Sequence, residues 1–268
     1  MNISVIIPMY NASDTIWNTL ESVRRQTFHA NYEIIVINDG SNDNSLEVVQ
    51  KYREQHPHLN IILLNQNNGG VSKARNIGLK QASGQFIALL DSDDEWLPKK
   101  IERQMEILLS HPEIDFLGTT RNNEKLSYIF LKKIDHLTRL SPKTLLLRFV
   151  FVTPTIIFKK EIIQKVGLFN ENQRYAEDGN YYIRIAAECN AYLLNESWVI
   201  TGGGKHHYGE KGLSGDIFKM EKGELSNIAY FYRNRTINIF EFIGIALFSI
   251  LKFIRRFFIT KLRQLAKK

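Results

Sequence analysis

A chain of 268 residues, 44% hydrophobic and 11% aromatic, is long enough for one large α/β domain or two small ones and too apolar for disorder. Its single cysteine, Cys189, excludes an internal disulfide and a cysteine metal cluster, and fits a reducing, cytosolic setting. The formal charge of +7 suggests a polyanion binder until it is located: residues 233–268 hold nine Lys or Arg against the lone acid Glu241, a net of +8, which leaves the rest of the chain at −1.

The opening residues MNISVIIPMYN lack a basic region, and Pro8 interrupts a short apolar run, so they read as a strand that stays inside the cell and not as a secretory signal. Val- and Ile-rich runs at residues 3–7, 33–37, 61–64 and 86–90 predict strands whose near-continuous apolarity suits a sheet covered on both faces. Between them, residues 15–25, 45–56 and 72–82 have helical period, behind Ser13-Asp14, Asp43-Asn44 and Gly69-Gly70, which serve as helix starts. Strands alternating with helices at this spacing imply right-handed crossovers and a mainly parallel α/β sheet. Ligands of such sheets bind at the carboxyl ends of the strands, which singles out Pro8-Met9-Tyr10-Asn11, Asn38-Asp39-Gly40-Ser41 and Asp91-Ser92-Asp93-Asp94.

A helix should follow Pro98 to about residue 109, where His111-Pro112 ends it. Residues 115–165 are less patterned: strands are expected at 115–118 and 155–158, a polar loop around 121–125 and a short helix from Glu161. A further helix opens at Glu177-Asp178 and runs through Ala187, followed by strands near 192–194 and 199–201 and a glycine-dotted loop from Gly202 to Gly215. The longest apolar stretch, residues 242–251, is about half of the ~20 residues a spanning helix needs. Without an internal repeat or a linker, the simplest division is a catalytic-type domain over 1–215 and a helical extension over 216–268.

The sharpest local signal is Asp91-Ser92-Asp93-Asp94-Glu95. Acids crowded at the end of a buried strand repel one another unless a cation sits among them, and Mg²⁺ or Mn²⁺ prefers such oxygens and keeps positions for phosphate and water. The alternative is an acidic helix start, with Asp93 or Asp94 as the cap. Asp39 can accept a hydrogen bond from a nucleotide base beside the permissive Gly40, or close an Asx-turn. Arg75 and Asn76 follow the glycine pair in the first turns of a helix and can point to a site, or Arg75 can be an ion-paired surface residue; two glycines before a helix are weak evidence of a phosphate site. Asp178 can act as a base toward a hydroxyl, or the Glu177-Asp178 pair can simply cap a helix.

In their order, the segments VIIPMYN, VINDGSND, GGVSKARNIGL, ALLDSDDEWLP and AEDGNYYIRIA resemble the family 2 glycosyltransferases, which have a GT-A fold, and the resemblance covers roughly residues 1–215. It implies that Pro8, Tyr10 and Asp39 hold the nucleotide base and ribose, with Arg75, Asp91 and Ser92 also at the nucleotide. It further implies that Asp91 and Asp93, next to Asp94, bind the diphosphate through Mn²⁺ or Mg²⁺, and that Asp178 is the base of an inverting displacement. The family's second motif has two acids, and here the first is Asn38; the carried-over position is Asp39. In the 202–215 loop, Lys205, His206, His207 and Lys211 are candidates for phosphate contact or, for the histidines, metal ligation; the bland reading is a solvated loop.

Near the C-terminus Phe253, Ile254, Phe257, Phe258, Leu262 and Leu265 recur at helical spacing, and Lys252, Arg255, Arg256, Arg263 and Lys267 occupy much of the other face. Such a basic amphipathic helix suits the anionic inner leaflet; the alternative is a helix packed on the domain or in a dimer interface, with a solvated basic face. Together with the resemblance, this implies a cytoplasmic enzyme, peripheral on the membrane, that moves a hexose or N-acetylhexosamine from a UDP-sugar to a polyprenyl-diphosphate-linked saccharide, as in O-antigen or capsule assembly, with no role for nucleic acid. The alternatives are a nucleotidyltransferase making an activated sugar, against which Met9–Ser13 lacks a glycine or base for triphosphate, and a non-catalytic sugar-nucleotide-binding module on the membrane.

Overall fold

The computed structural model describes residues 1–204 and 215–266, with side chains described as far as residue 261. The first half alternates as its pattern predicts: β1 (Asn2–Met9), α1 (Ile16–Arg24), β2 (Asn31–Asn38), α2 (Ser45–Gln55), β3 (Asn60–Asn65), α3 (Val71–Gln81) and β4 (Phe86–Leu89). After the short β5 (Glu95–Trp96) come α4 (Lys100–Ser110) and β6 (Phe116–Thr120). The middle adds a small hairpin of β7 (Tyr128–Ile129) and β8 (Lys132–Lys133), then β9 (Leu137–Arg139), α5 (Pro142–Leu147), β10 (Ile157–Lys159) and α6 (Ile162–Val166). The remainder is α7 (Glu177–Glu188), β11 (Ala191–Ser197), β12 (Val199–Ile200), α8 (Ile217–Arg233) and α9 (Ile239–Ala266).

Eight strands form the central sheet in the order β3-β2-β1-β4-β10-β6-β11-β9. The pairings β1–β2, β2–β3, β1–β4 and β6–β11 are parallel, whereas β10 runs antiparallel between β4 and β6 and β9 antiparallel on β11. The chain winds outward from β1 to β3 and then returns to β1's other side with β4, so the carboxyl ends of β1 and β4 flank a topological switch point, where open α/β sheets bind ligands.

Side-chain alternation sorts β1 onto two cores. Ile3, Val5, Ile7 and Met9 pack with Leu20, Val49 and Trp96 on one side, and Ile6 packs with Ile37, Leu79 and Leu89 on the other. Gly78 lets α3 lie close to the sheet, because a Cβ there would run into Ile6 and would come within 2.9 Å of Ile37 Cδ1. The second core continues under α7 and takes in Ile228 and Phe231 of α8 and Ile245 of α9.

Three expectations shift. The strand placed at 155–158 begins at Ile157, because Pro154 and its neighbours form a 3-10 turn whose carbonyl at Pro154 accepts from Trp96 Nε1 at 2.7 Å. The hairpin and β9 escape a sequence reading because strands of two or three residues show no period, and α5, a helix of six residues, is shorter than two turns. The C-terminal extension is two helices that pack on each other, broken where Arg235 adopts φ 58. Asn238 and Glu241 restart it with a reciprocal capping box: Glu241 N donates to Asn238 Oδ1 at 3.0 Å and Asn238 N donates to Glu241 Oε2 at 2.9 Å. Among the described residues no helix is long and apolar enough to cross a membrane.

Candidate active site

A cleft of about 1860 Å³ opens at the switch point. Its lining includes Pro8, Tyr10, Asp39 and Arg75 from the first three strand–helix connections, Asp91, Ser92, Asp93 and Asp94 from the end of β4, and Asp178 from α7. Residues separated by up to 170 positions thus meet in one place. Lys205, His206, His207 and Lys211 lie outside the described residues.

At the end of the cleft formed after β1 and β2, Tyr10 stands half-exposed and the Asp39 carboxylate is buried. Asp39 does not close an Asx-turn. Its Oδ1 accepts from Gln66 Nε2 (2.5 Å) and Gly69 N (2.8 Å), and its Oδ2 from Gly70 N (2.9 Å), so it pins the glycine pair that starts α3. The turn belongs to Asn38 instead, whose Oδ1 accepts from Ser41 N at 3.1 Å. Gly40 fits there with φ 72, where a Cβ would approach Asn68 N to 2.8 Å. Ser92 is anchored through its carbonyl, which accepts from the hydroxyls of Thr15 (2.8 Å) and Thr19 (3.0 Å) at the start of α1.

Arg75 is not a surface residue. Its guanidinium is buried and bridges the two acidic centres, with Nη2 2.8 Å from Asp91 Oδ1 and Nη1 3.3 Å from Glu177 Oε1. Its neighbour Asn76 holds the approach to α7: Nδ2 donates to the Phe169 carbonyl and Oδ1 accepts from Phe169 N, both at 2.9 Å.

The acids at the end of β4 divide their work. Asp91 gives one oxygen to Arg75. Asp94 is buried and accepts from Gly202 N at 2.9 Å, which joins β4 to the loop after β12. Burial first, and then the charges of Asp91 and Asp93, push its carboxyl up to about 8. Asp93 opens into the cleft, and its enclosure followed by the charge of Asp91 raises it as well. Asp91 and Asp94 are partnered, and the residual negative charge faces the cleft. Among the described residues no three His, Cys, Asp or Glu side chains converge as a ready cage. Hard oxygens at a cleft wall, with too little positive charge around them, nevertheless fit Mn²⁺ or Mg²⁺, which binds through one or two carboxylates and completes its shell with phosphate and water.

Opposite stand Glu177 and Asp178 in the first turn of α7. Ala176 precedes them in the left-handed region at φ 54, a conformation that costs a non-glycine residue of order 1 kcal/mol or more and needs external support. Three donors supply it at the Ala176 carbonyl: Asn227 Nδ2 (2.8 Å), Gln173 Nε2 (3.0 Å) and Asn180 N (3.1 Å). Asn227 belongs to α8, so the C-terminal extension braces the turn that presents Asp178. Burial raises the Asp178 carboxyl, opposed by Arg75 and by Gly179 N, which donates to its Oδ1 at 2.7 Å. Glu177 is pushed up to about 7 by burial and then by Asp178, against Arg75.

Sequence reasoning missed the brace and the inner face of the tail. Lys252 and Arg256 belong to the basic face of the amphipathic pattern, but they turn toward the protein. Lys252 Nζ donates to the Leu147 carbonyl at 2.8 Å, and Arg256 pairs with Glu221 (2.6 Å) and Glu224 (2.8 Å) of α8. The apolar stripe Phe240, Ile243, Leu247, Leu251, Ile254 and Phe258 is what α9 exposes. The reciprocal cap at Asn238 was the one signal of the helical break readable in the chain.

Comparison with known proteins gives three findings. Residues 4–167 match the family model described as Glycosyl transferase family 2. WfgD of Escherichia coli, a UDP-Glc:alpha-D-GlcNAc-diphosphoundecaprenol beta-1,3-glucosyltransferase, is 33% identical over 213 residues, 74% of this chain and 79% of WfgD. The chain spans only 30% to 61% of the length of four other bacterial relatives it matches. S. aureus TarS 1-349 in complex with UDP-GlcNAc has a similar fold, at TM-score 0.71 and 22% identity over 92% of this chain and 70% of that one. The mannosyltransferase PcManGT of Pyrobaculum calidifontis, in complex with GDP-Man and Mn²⁺, is similar at TM-score 0.67 and 18% identity, over 86% of this chain and 64% of that one.

Proposed function

This chain belongs to glycosyl transferase family 2 and is a glycosyltransferase with a GT-A fold, and from that premise we propose that it moves a hexose or N-acetylhexosamine from a UDP-sugar to a lipid-diphosphate-linked saccharide with inversion. The observation that carries the reading is the opposition across one cleft of Asp91-Ser92-Asp93-Asp94 and Asp178, held in register by the buried Arg75 between Asp91 and Glu177.

In this reading Tyr10 and Pro8 border the base, and Asp39 acts mainly by fixing the Gly69-Gly70 turn beside the nucleotide. Asp93, with the oxygen of Asp91 that Arg75 leaves over, would hold Mn²⁺ or Mg²⁺. When bound, that cation offsets the negative charge growing on the departing diphosphate. Asp178 accepts the proton of the acceptor hydroxyl as its oxygen bonds to the anomeric carbon, and the bond from that carbon to the diphosphate breaks on the opposite face. UDP leaves with the bonding pair, and no covalent sugar intermediate forms. The raised carboxyl of Asp178 suits this task, since a base with a pKa nearer the working pH takes the proton more completely. Arg75 pairs with both Asp91 and Glu177, so that the two ends of the cleft hold their spacing.

The acceptor class is supported by the diphosphoundecaprenol acceptor in the name of WfgD and by the exposed apolar stripe of α9, an unbroken patch of the sort that marks a membrane or partner surface. The exposed Lys261 on the same helix suits anionic headgroups. The division of labour is then a donor domain over 1–215 and a membrane-facing extension over 216–268, peripheral on the cytoplasmic face and serving surface-polysaccharide assembly. The test is transfer from UDP-glucose, UDP-galactose or UDP-GlcNAc, with Mn²⁺, to GlcNAc-diphosphoundecaprenol. A β-linked, metal-dependent product supports the reading, and absence of turnover with every donor, given demonstrated UDP binding, overturns the acceptor assignment.

A further inference from the structure

The cleft has a second charge character. At the end of β4 its wall is acidic, but the wall supplied by α9 and by the residue after α5 is basic, with Arg148, Lys252, Arg255 and Arg256 all lining it. Arg256 is committed to Glu221 and Glu224, and so secures the α8–α9 hairpin. The others are less engaged. Arg148 donates only to the Tyr128 carbonyl at 3.2 Å, Lys252 lies 3.8 Å from Glu224 beyond its bond to Leu147, and Arg255 has no hydrogen bond or ion pair among the described residues. Among the described residues the one ion pair that Arg148, Lys252 or Arg255 makes is the long Lys252–Glu224 contact, so these three put positive charge on this wall of the cleft. Burial and then, among neighbouring cations, Arg256 and Arg148 lower the Lys252 ammonium, with Glu224 and Glu221 opposing, so the group gains if an anion joins it.

A donor diphosphate does not need this wall in the reading above, because the cation that Asp93 would hold would meet its charge at the other end. The other side of the same helix exposes Leu247, Leu251, Ile254 and Phe258. One helix therefore offers cations to the cleft and hydrocarbon to the outside, which is the division of a lipid diphosphate into a charged head and an apolar chain. We propose that Arg148, Lys252 and Arg255 form a second, acceptor-side diphosphate subsite, which grips the diphosphate of a lipid-linked saccharide while its chain leaves along the exposed face of α9. The proposal rests on the glycosyltransferase reading for its acceptor, and specifies which residues select a diphosphate over a neutral glycoside.

The experiment is calorimetric titration of farnesyl diphosphate into the full chain saturated with UDP and Mn²⁺, so that the donor end is filled. Hydrogen bonds between charged groups contribute enough that Lys252→Ala with Arg255→Ala should weaken binding by about 10-fold or more, and Arg255→Lys should recover most of it. The affinity of each variant for UDP reports whether it is folded, and UDP binding by the wild type tests the donor reading separately. Equal farnesyl diphosphate affinity in a folded double variant overturns the subsite. Farnesol binding as tightly as farnesyl diphosphate also overturns it, since the wall then reads hydrocarbon alone. Inorganic diphosphate binding as tightly as the farnesyl form overturns the lipid part and leaves a site for free diphosphate.

Discussion

Replacing Glu177 by glutamine should make the protein relatively more stable as the pH rises, although it breaks an ion pair with Arg75. The carboxyl titrates at 4.5 in the unfolded chain and at about 7 in the fold, driven up by burial and then by Asp178. Below the unfolded value both states hold the proton and nothing is lost. Between the two values the unfolded chain releases the proton and the folded one retains it, so stability declines with pH; above the folded value the whole cost is in place. Each pH unit is worth about 1.4 kcal/mol, which over this window gives a ceiling of about 3 kcal/mol. For a chain of this size that is on the order of 5–10 °C in melting temperature. The buried Lys100 ammonium is held well below its usual value by burial and contributes with the opposite sign wherever it titrates, so the informative quantity is the difference between wild type and Glu177→Gln. Glu21 and Glu196, both lowered to about 2, change stability only below the ordinary carboxylate range and stay outside the window. Glutamine keeps an acceptor for Arg75 Nη1 and mimics the protonated acid. Thermal melts in a chelator between about pH 5 and 7 should show the variant gaining on wild type steadily; a difference that is flat, or that falls with pH, refutes the electrostatics assigned to this site.

Asn227→Ala, which removes one support of the Ala176 carbonyl, should lower kcat by roughly 10- to 100-fold through misplacement of Asp178, with UDP affinity unchanged in the same titration; a change in UDP affinity alone contradicts the positioning role. Gly78→Ala should cost about 1–3 kcal/mol from overpacking against Ile6 and Ile37, measured by urea denaturation, and an unchanged midpoint would mean that α3 lifts off the sheet freely. Leu247→Ser with Leu251→Ser should reduce sedimentation with phosphatidylglycerol vesicles without lowering the melting temperature, since both side chains are exposed; undiminished sedimentation contradicts the membrane face.

The meeting of the strand-end loops in one cleft was legible because it is built from local signals. Strands buried on both faces announce themselves as Val- and Ile-rich runs, and a parallel sheet puts the loops after them side by side, so the tips around Pro8, Asp39 and Asp91 had to meet. What eluded the sequence depends on contacts between distant segments. Arg75 and Glu177 lie 102 positions apart, and nothing local distinguishes a buried bridging arginine from a solvated one. The choice between Asn38 and Asp39 as the turn-former depended on where Gly69 and Gly70 would arrive. Helical period in the tail found the apolar positions but not the way each one faces: Phe253 and Phe257 pack on Phe218 of α8, whereas Ile254 and Phe258 stay exposed. Glu221 and Glu224 on α8 draw Arg256 inward, and no pattern within α9 encodes that.

The most direct test of the catalytic arrangement compares Asp93→Ala and Asp178→Asn in two assays on the same preparations, UDP binding with Mn²⁺ and sugar transfer to GlcNAc-diphosphoundecaprenol. Asp178→Asn should keep its UDP affinity and lose transfer by about 100-fold or more, whereas Asp93→Ala should lose both the Mn²⁺-dependent part of UDP binding and transfer. Wild-type transfer by Asp178→Asn would contradict the assignment of the base, and with it the chemistry proposed for this cleft.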